Sequence, residues 1–87
     1  MIVELHRDFK KQLRKLSPKL QARVYEVLEL FERNPFAREL ENHPLSGKMR
    51  SKRAISVTGS YRIIFIEERN YYYVLMLDVG THPQVYG

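Results

Sequence analysis

Apolar residues recur every three or four positions through the first part of the chain and every two positions after residue 53, so helices are expected ahead of strands. Phe9, Leu13 and Leu16 fall on one face of a helix beginning at Asp8, and Lys10, Lys11, Arg14 and Lys15 occupy the rest of that cylinder. Ser17-Pro18 reads as an N-cap followed by proline at the first helical position. The helix it opens carries Leu20, Val24, Val27, Leu28 and Phe31 as its apolar stripe, and Asn34-Pro35 closes it, because a residue before proline is driven out of the helical region. So short a connection predicts a helical hairpin. Ahead of it, residues 2–5 (Ile-Val-Glu-Leu) predict a short strand.

Residues 34–51 predict mostly loop, including His43-Pro44-Leu45-Ser46-Gly47. From Arg53 the alternation puts Ile55 and Val57 on one face of a strand and Ala54 and Ser56 on the other. Thr58-Gly59-Ser60 predicts a turn, Tyr61 to Glu67 a second strand, Arg69-Asn70 another turn, and Tyr71 to Val79 a long apolar third strand. Consecutive strands joined by short turns form an antiparallel meander. The expected fold is therefore α+β, in the order β-α-α-β-β-β, with the helical hairpin covering one face of a small, mainly antiparallel sheet.

Length and composition narrow the class. At 87 residues the chain makes one domain, residues 1–87, and 44% hydrophobic with 29% charged residues describes a globular protein rather than a disordered one. Without cysteine there is no disulfide, no thiolate nucleophile and no cysteine-based zinc site. The apolar runs are too short to span a bilayer, and Met1-Ile2-Val3-Glu4 reaches a charge too soon for a secretory signal, so the expected location is cytoplasmic. The formal net charge is +5, and thirteen of the 15 Lys and Arg residues lie within the first 53 positions, which points to a polyanionic partner.

Four groups of residues carry candidate chemistry. His82 follows the last strand, where a rigid scaffold can hold a group that titrates near neutrality. His43 precedes Pro44 in the long loop and offers a second acid–base group, whereas His6 has no evident partner. No two histidines have the spacing of a helical metal pair, so no metal and no cofactor is expected. Arg53 and Arg62 open successive strands, and pairing of those strands would let both guanidinium groups reach one sheet face, where a planar fork suits phosphate. Tyr61 and Tyr86, near strand ends, are the aromatic groups best placed to stack on RNA bases. Lys48 in the long loop and the helix residues Lys10, Lys11, Arg14 and Lys15 complete a candidate RNA-contacting set.

Three segments, Asn42-His43-Pro44-Leu45-Ser46-Gly47, Tyr61-Arg62-Ile63-Ile64-Phe65 and Gly80-Thr81-His82-Pro83-Gln84-Val85-Tyr86-Gly87, together resemble the RelE/ParE toxin superfamily, most closely its YafQ-like branch. The resemblance implies the toxin of a type II toxin–antitoxin system: a metal-independent endoribonuclease (an mRNA interferase) that cuts mRNA in the ribosomal A site and is held inactive by a cognate antitoxin protein. Carried over by position, His82 resembles the general acid, His43 the loop histidine beside the scissile phosphate, Tyr86 the terminal aromatic that positions RNA, and Arg62 the strand arginine that neutralises phosphate charge. YafQ-like chains carry a further His and an Asp where this chain has Ser56 and Ser60, which leaves the general base unassigned. Two other readings stay open: a non-enzymatic ParE-like inhibitor of DNA gyrase, and a domain that binds RNA or antitoxin without cutting.

Overall fold

Leu5 and Arg7 belong to different elements, and His6 makes the join. The computed structural model describes residues 1–86; Gly87, the last residue of the closing motif, lies outside the described residues. Strand β1 (Ile2–Leu5) gives way at once to helix α1 (Arg7–Lys15), one residue earlier than the apolar spacing predicts. His6 is the N-cap: its Nδ1 accepts the Asp8 backbone N–H at 3.0 Å, a task usually performed by Ser, Thr, Asp or Asn. Accepting that bond leaves Nδ1 unprotonated, so its 3.8 Å approach to the Asp8 carboxylate is not an ion pair in this state. Asp8 in the first turn and Arg14 and Lys15 in the last complement the helix dipole.

Ser17 caps helix α2 (Pro18–Arg33) as expected, its Oγ accepting the Leu20 N–H at 3.3 Å. Phe9 and Leu13 of α1 and Val24, Val27, Leu28 and Phe31 of α2 are buried in one cluster with residues of the sheet. That sheet has five strands in the order β1-β5-β4-β3-β2, where β2 is His43–Pro44, β3 Arg53–Ser56, β4 Tyr61–Glu68 and β5 Tyr73–Thr81. β1 runs parallel to β5 and the other pairs are antiparallel, so the α+β expectation holds. Ile55, Ile63, Phe65, Val74, Met76 and Val79 face the helices, and Phe31 meets Phe65 edge-on at 5.1 Å.

Two local expectations change. His43 and Pro44 are not loop but a two-residue strand paired with Ala54 and Arg53. Tyr71 and Tyr72 belong to the turn rather than to the last strand, because Arg69, Asn70 and Tyr71 have φ of 53°, 55° and 68°. A left-handed residue with a Cβ costs roughly 1–2 kcal/mol. Tyr71 is held there by packing against Phe31, Phe36 and Phe65 and by its N–H donating to Glu67 Oε1 at 2.8 Å. Beyond the predicted elements, residues His82–Tyr86 form a one-turn helix, α3, directly after β5.

Candidate active site

Residues opposite one another in a sheet project from the same face, and neighbours along a strand project from opposite faces. His43 pairs with Ala54 and Ala54 with Ile64, while Ser56 pairs with Arg62 and Arg62 with Gly80. His43, Ser56, Arg62 and Gly80 therefore share the face turned away from α1 and α2. Arg53 pairs with core-facing Phe65 and lies on the other face. The expectation that Arg53 and Arg62 share a face fails because the hairpin register sets Ser56, not Arg53, across from Arg62. On its own side, Arg53 donates Nε–H to Asn42 Oδ1 at 2.9 Å and lies 5.7 Å over the Phe36 ring. Asn42 in turn donates to the Pro35 carbonyl and the Tyr71 hydroxyl, at 3.0 and 3.1 Å. Arg53 thus fastens the segment that leads into β2. Arg62 is half-buried, and one terminal nitrogen donates to the carbonyls of Thr58, Tyr61 and Gly59 at 2.7, 3.0 and 3.3 Å, which braces the β3–β4 turn.

On the same open face, α3 folds over Gly80. Thr81-His82-Pro83-Gln84 is a helix start written in sequence: Gln84 Oε1 reaches back to the Thr81 N–H at 2.8 Å, one half of a capping box, and proline is tolerated in the first turn. A Cβ on Gly80 would stand 2.8 Å from Gln84 Oε1 and 3.2 Å from Val85 Cγ1, so the absence of a side chain there lets the helix settle onto the strand. His82 and Tyr86, one turn apart, meet edge to face with ring centroids 4.0 Å apart and planes at 89°.

Between α3 and the β2 segment lies a cleft of about 490 Å³, lined by His43, Pro44, Leu45, Ser46, Lys48, Met49, His82 and Tyr86. Residues almost forty positions apart in sequence thus face a common space. His43 Nδ1 lies 2.7 Å from the Glu41 backbone carbonyl. A carbonyl only accepts, so Nδ1 carries the proton, and in the neutral ring Nε2 keeps its lone pair. Both histidines are exposed to solvent.

Of the residues singled out in the sequence, His43, Lys48, His82 and Tyr86 meet in the cleft, and Arg62 lies on the same sheet face below α3. Tyr61 is half-buried and packs against the helix-side core. Lys10, Lys11, Arg14 and Lys15 are exposed on α1, in the layer on the other side of the sheet. Sequence reasoning missed Glu41, whose Oε1 accepts a hydrogen bond from Ser56 Oγ at 2.6 Å. No sequence signal marks it, because Glu41 reaches Ser56 from a left-handed backbone conformation that strand alternation does not describe. Asp78, opposite Ile64, also belongs to this face; burial raises its carboxyl above the ordinary range, partly offset by the Val79 N–H bound at 2.9 Å. Among the described residues no cluster of His, Asp and Glu has the makings of a metal site, and no helix is long and apolar enough to cross a membrane.

Two helices behind a five-stranded mixed sheet, with a terminal helical turn on the open face, make up the RelE/YafQ-like toxin fold. Among solved structures the chain superposes on Escherichia coli YafQ with a TM-score of 0.82 at 17% identity, covering 98% of this chain and 97% of that one. It matches the toxin–antitoxin complex RelBE2 from Mycobacterium tuberculosis with a TM-score of 0.78 at 23% identity, over 93% and 90% of the two chains. A YoeB/ParE toxin from Agrobacterium tumefaciens gives 0.78 at 14% identity, over 94% and 99%. No protein-family model matches the chain, and no curated protein sequence does.

Proposed function

We propose that this chain is the toxin of a type II toxin–antitoxin pair and acts as a ribosome-dependent endoribonuclease on mRNA in the A site, silenced by a cognate antitoxin. The observation that carries the reading is the convergence of His43 and His82 on one cleft, with His43 Nε2 left free to accept a proton. RNA contains its own nucleophile. His43 Nε2 takes the proton from the 2′-hydroxyl, the 2′ oxygen bonds to the adjacent phosphorus, the P–O5′ bond breaks, and His82 in its imidazolium form protonates O5′. The products are a 2′,3′-cyclic phosphate and a 5′-hydroxyl, and proton exchange with water resets the pair. Lys48 on the cleft wall and Arg62 beneath α3 supply positive charge for the phosphorane. Tyr86, packed on His82, fixes the direction of that ring and presents an aromatic surface to the RNA. DNA lacks the nucleophile and is left intact.

The test is 5′-end mapping of an mRNA in a reconstituted translation reaction with the wild type, His43→Ala and His82→Ala. Each substitution is expected to lower cleavage by on the order of 10²–10⁴-fold. Intact mRNA together with blocked DNA supercoiling would identify a gyrase inhibitor instead. RNA binding that weakens steeply with salt, without cleavage, would identify a binding domain.

A further inference from the structure

We infer that Glu41 and Ser56 form a positioning pair that holds His43 in the tautomer required of a base at Nε2; the inference rests on the reading of His43 as that base. Ser56 is a buried polar residue, 8% exposed, and its hydroxyl donates to Glu41 Oε1 at 2.6 Å, within the range of a charge-assisted bond. Glu41 has φ 50° and ψ 43°, a left-handed conformation that residues with a Cβ keep only when something holds them in it. Two bonds do so: the carboxylate is tied to the sheet at Ser56, and the backbone N–H donates to the Arg38 carbonyl at 3.2 Å. From that conformation the Glu41 carbonyl meets the His43 ring at 2.7 Å. On the other side of the turn, Asn42 is pinned to Pro35, Tyr71 and Arg53.

The consequence is chemical. An exposed imidazole in water favours the form with the proton on Nε2, which would turn an N–H rather than a lone pair toward the substrate. The Glu41 carbonyl reverses that preference by claiming Nδ1–H. Ser56 reaches the histidine only through Glu41, so both residues act by positioning.

Nitrogen-15 NMR of the histidine-labelled protein at mildly alkaline pH reads the tautomer directly. The wild type is expected to show His43 protonated at Nδ1. Glu41→Ala and Ser56→Ala are expected to show a mixture dominated by the Nε2–H form, whereas Glu41→Gln, whose amide oxygen still accepts from Ser56, keeps the wild-type pattern. Single-turnover mRNA cleavage on ribosomes is expected to fall by on the order of 10-fold for the two alanine variants, the size of effect seen when an outer hydrogen-bond partner of a functional histidine is lost, with KM unchanged and most of the rate recovered in Glu41→Gln. Because Glu41 is exposed, its alanine variant keeps the test alive if Ser56→Ala folds poorly. An Nδ1–H pattern that persists in both alanine variants overturns the positioning pair, whatever happens to the rate. A tautomer that shifts as expected while His43→Ala still cleaves at the wild-type rate would instead overturn the base assignment and leave the pair standing.

Discussion

Gly80→Ala isolates the docking of α3 from the stability of the sheet. Gly80 does not need glycine's backbone freedom, and within a strand alanine is ordinarily better by roughly 0.5–1 kcal/mol. Here the sign is set by neighbours. The new Cβ would lie 2.8 Å from Gln84 Oε1, 3.2 Å from Val85 Cγ1 and 3.3 Å from Gln84 Cβ. The Oε1 atom, at the end of a flexible side chain, swings away, but it then abandons the Thr81 N–H and costs about 0.5–2 kcal/mol of capping. The other two contacts require α3 to rise by a few tenths of an ångström. α3 buries no residue completely, so the helix lifts while the core stays as it is. A bias of about 1–2 kcal/mol against docking lowers the docked fraction, relative to the undocked one, by about 5–30-fold. His82 and Tyr86 leave the cleft with it. The expected result is mRNA cleavage reduced toward that range, faster amide exchange over residues 82–86, and an unfolding midpoint close to the wild type. Wild-type cleavage with unchanged exchange at α3 would show that the contact over Gly80 does not hold the helix, and would refute the reasoning.

Two further outcomes are expected. Burial raises the Asp78 carboxyl above its unfolded value, so the folded protein binds that proton more tightly and stability falls as pH rises from the ordinary carboxylate range through the raised value. Asp78→Asn, which still accepts from the Val79 N–H, should therefore stabilise the protein at pH 7 and not at pH 3, as read from urea unfolding at the two pH values. Arg53→Met, which removes the charge, should cost about 1–2 kcal/mol by losing the Asn42 bond and the Phe36 contact, while the salt dependence of RNA binding stays as in the wild type; a salt slope reduced by about one would return Arg53 to the phosphate-binding set.

The long elements were legible because their burial is one-sided. The stripe Val24, Val27, Leu28 and Phe31 has helical spacing, and Ile63 and Phe65 alternate, since each faces one core. What was missed depends on partners distant in sequence. β2 is two residues long and exists only because Ala54 and Arg53 lie beside it. Tyr71 and Tyr72 look like strand because they are tyrosines, yet they continue the turn begun by Arg69-Asn70, and Tyr71 is held there by Phe31, Phe36 and Phe65. Arg53 and Arg62 open paired strands, and only the register, with Ser56 rather than Arg53 across from Arg62, puts them on opposite faces. In α3 the capping signal is local, in Thr81 and Gln84, but five residues are too few to show a helical period. In the candidate site, His43, His82 and Tyr86 were readable as residue types, and Glu41 was not, since a lone glutamate in a loop looks like solvent-facing charge.

The parallel pairing of β1 with β5 has a consequence for when the protein becomes competent. Ile2 to Leu5 lie beside Tyr73 to Met76, and β5 passes without a spacer into the helical turn bearing His82. During synthesis the first strand therefore waits, unpaired on that side, until the strand it flanks has been translated, and one wall of the cleft appears only after that. A partly made chain has its basic helix and His43 but no His82 opposite them. If the cleft cuts message on ribosomes, the ribosome making this protein is protected from its product by topology until residues 73–86 have emerged.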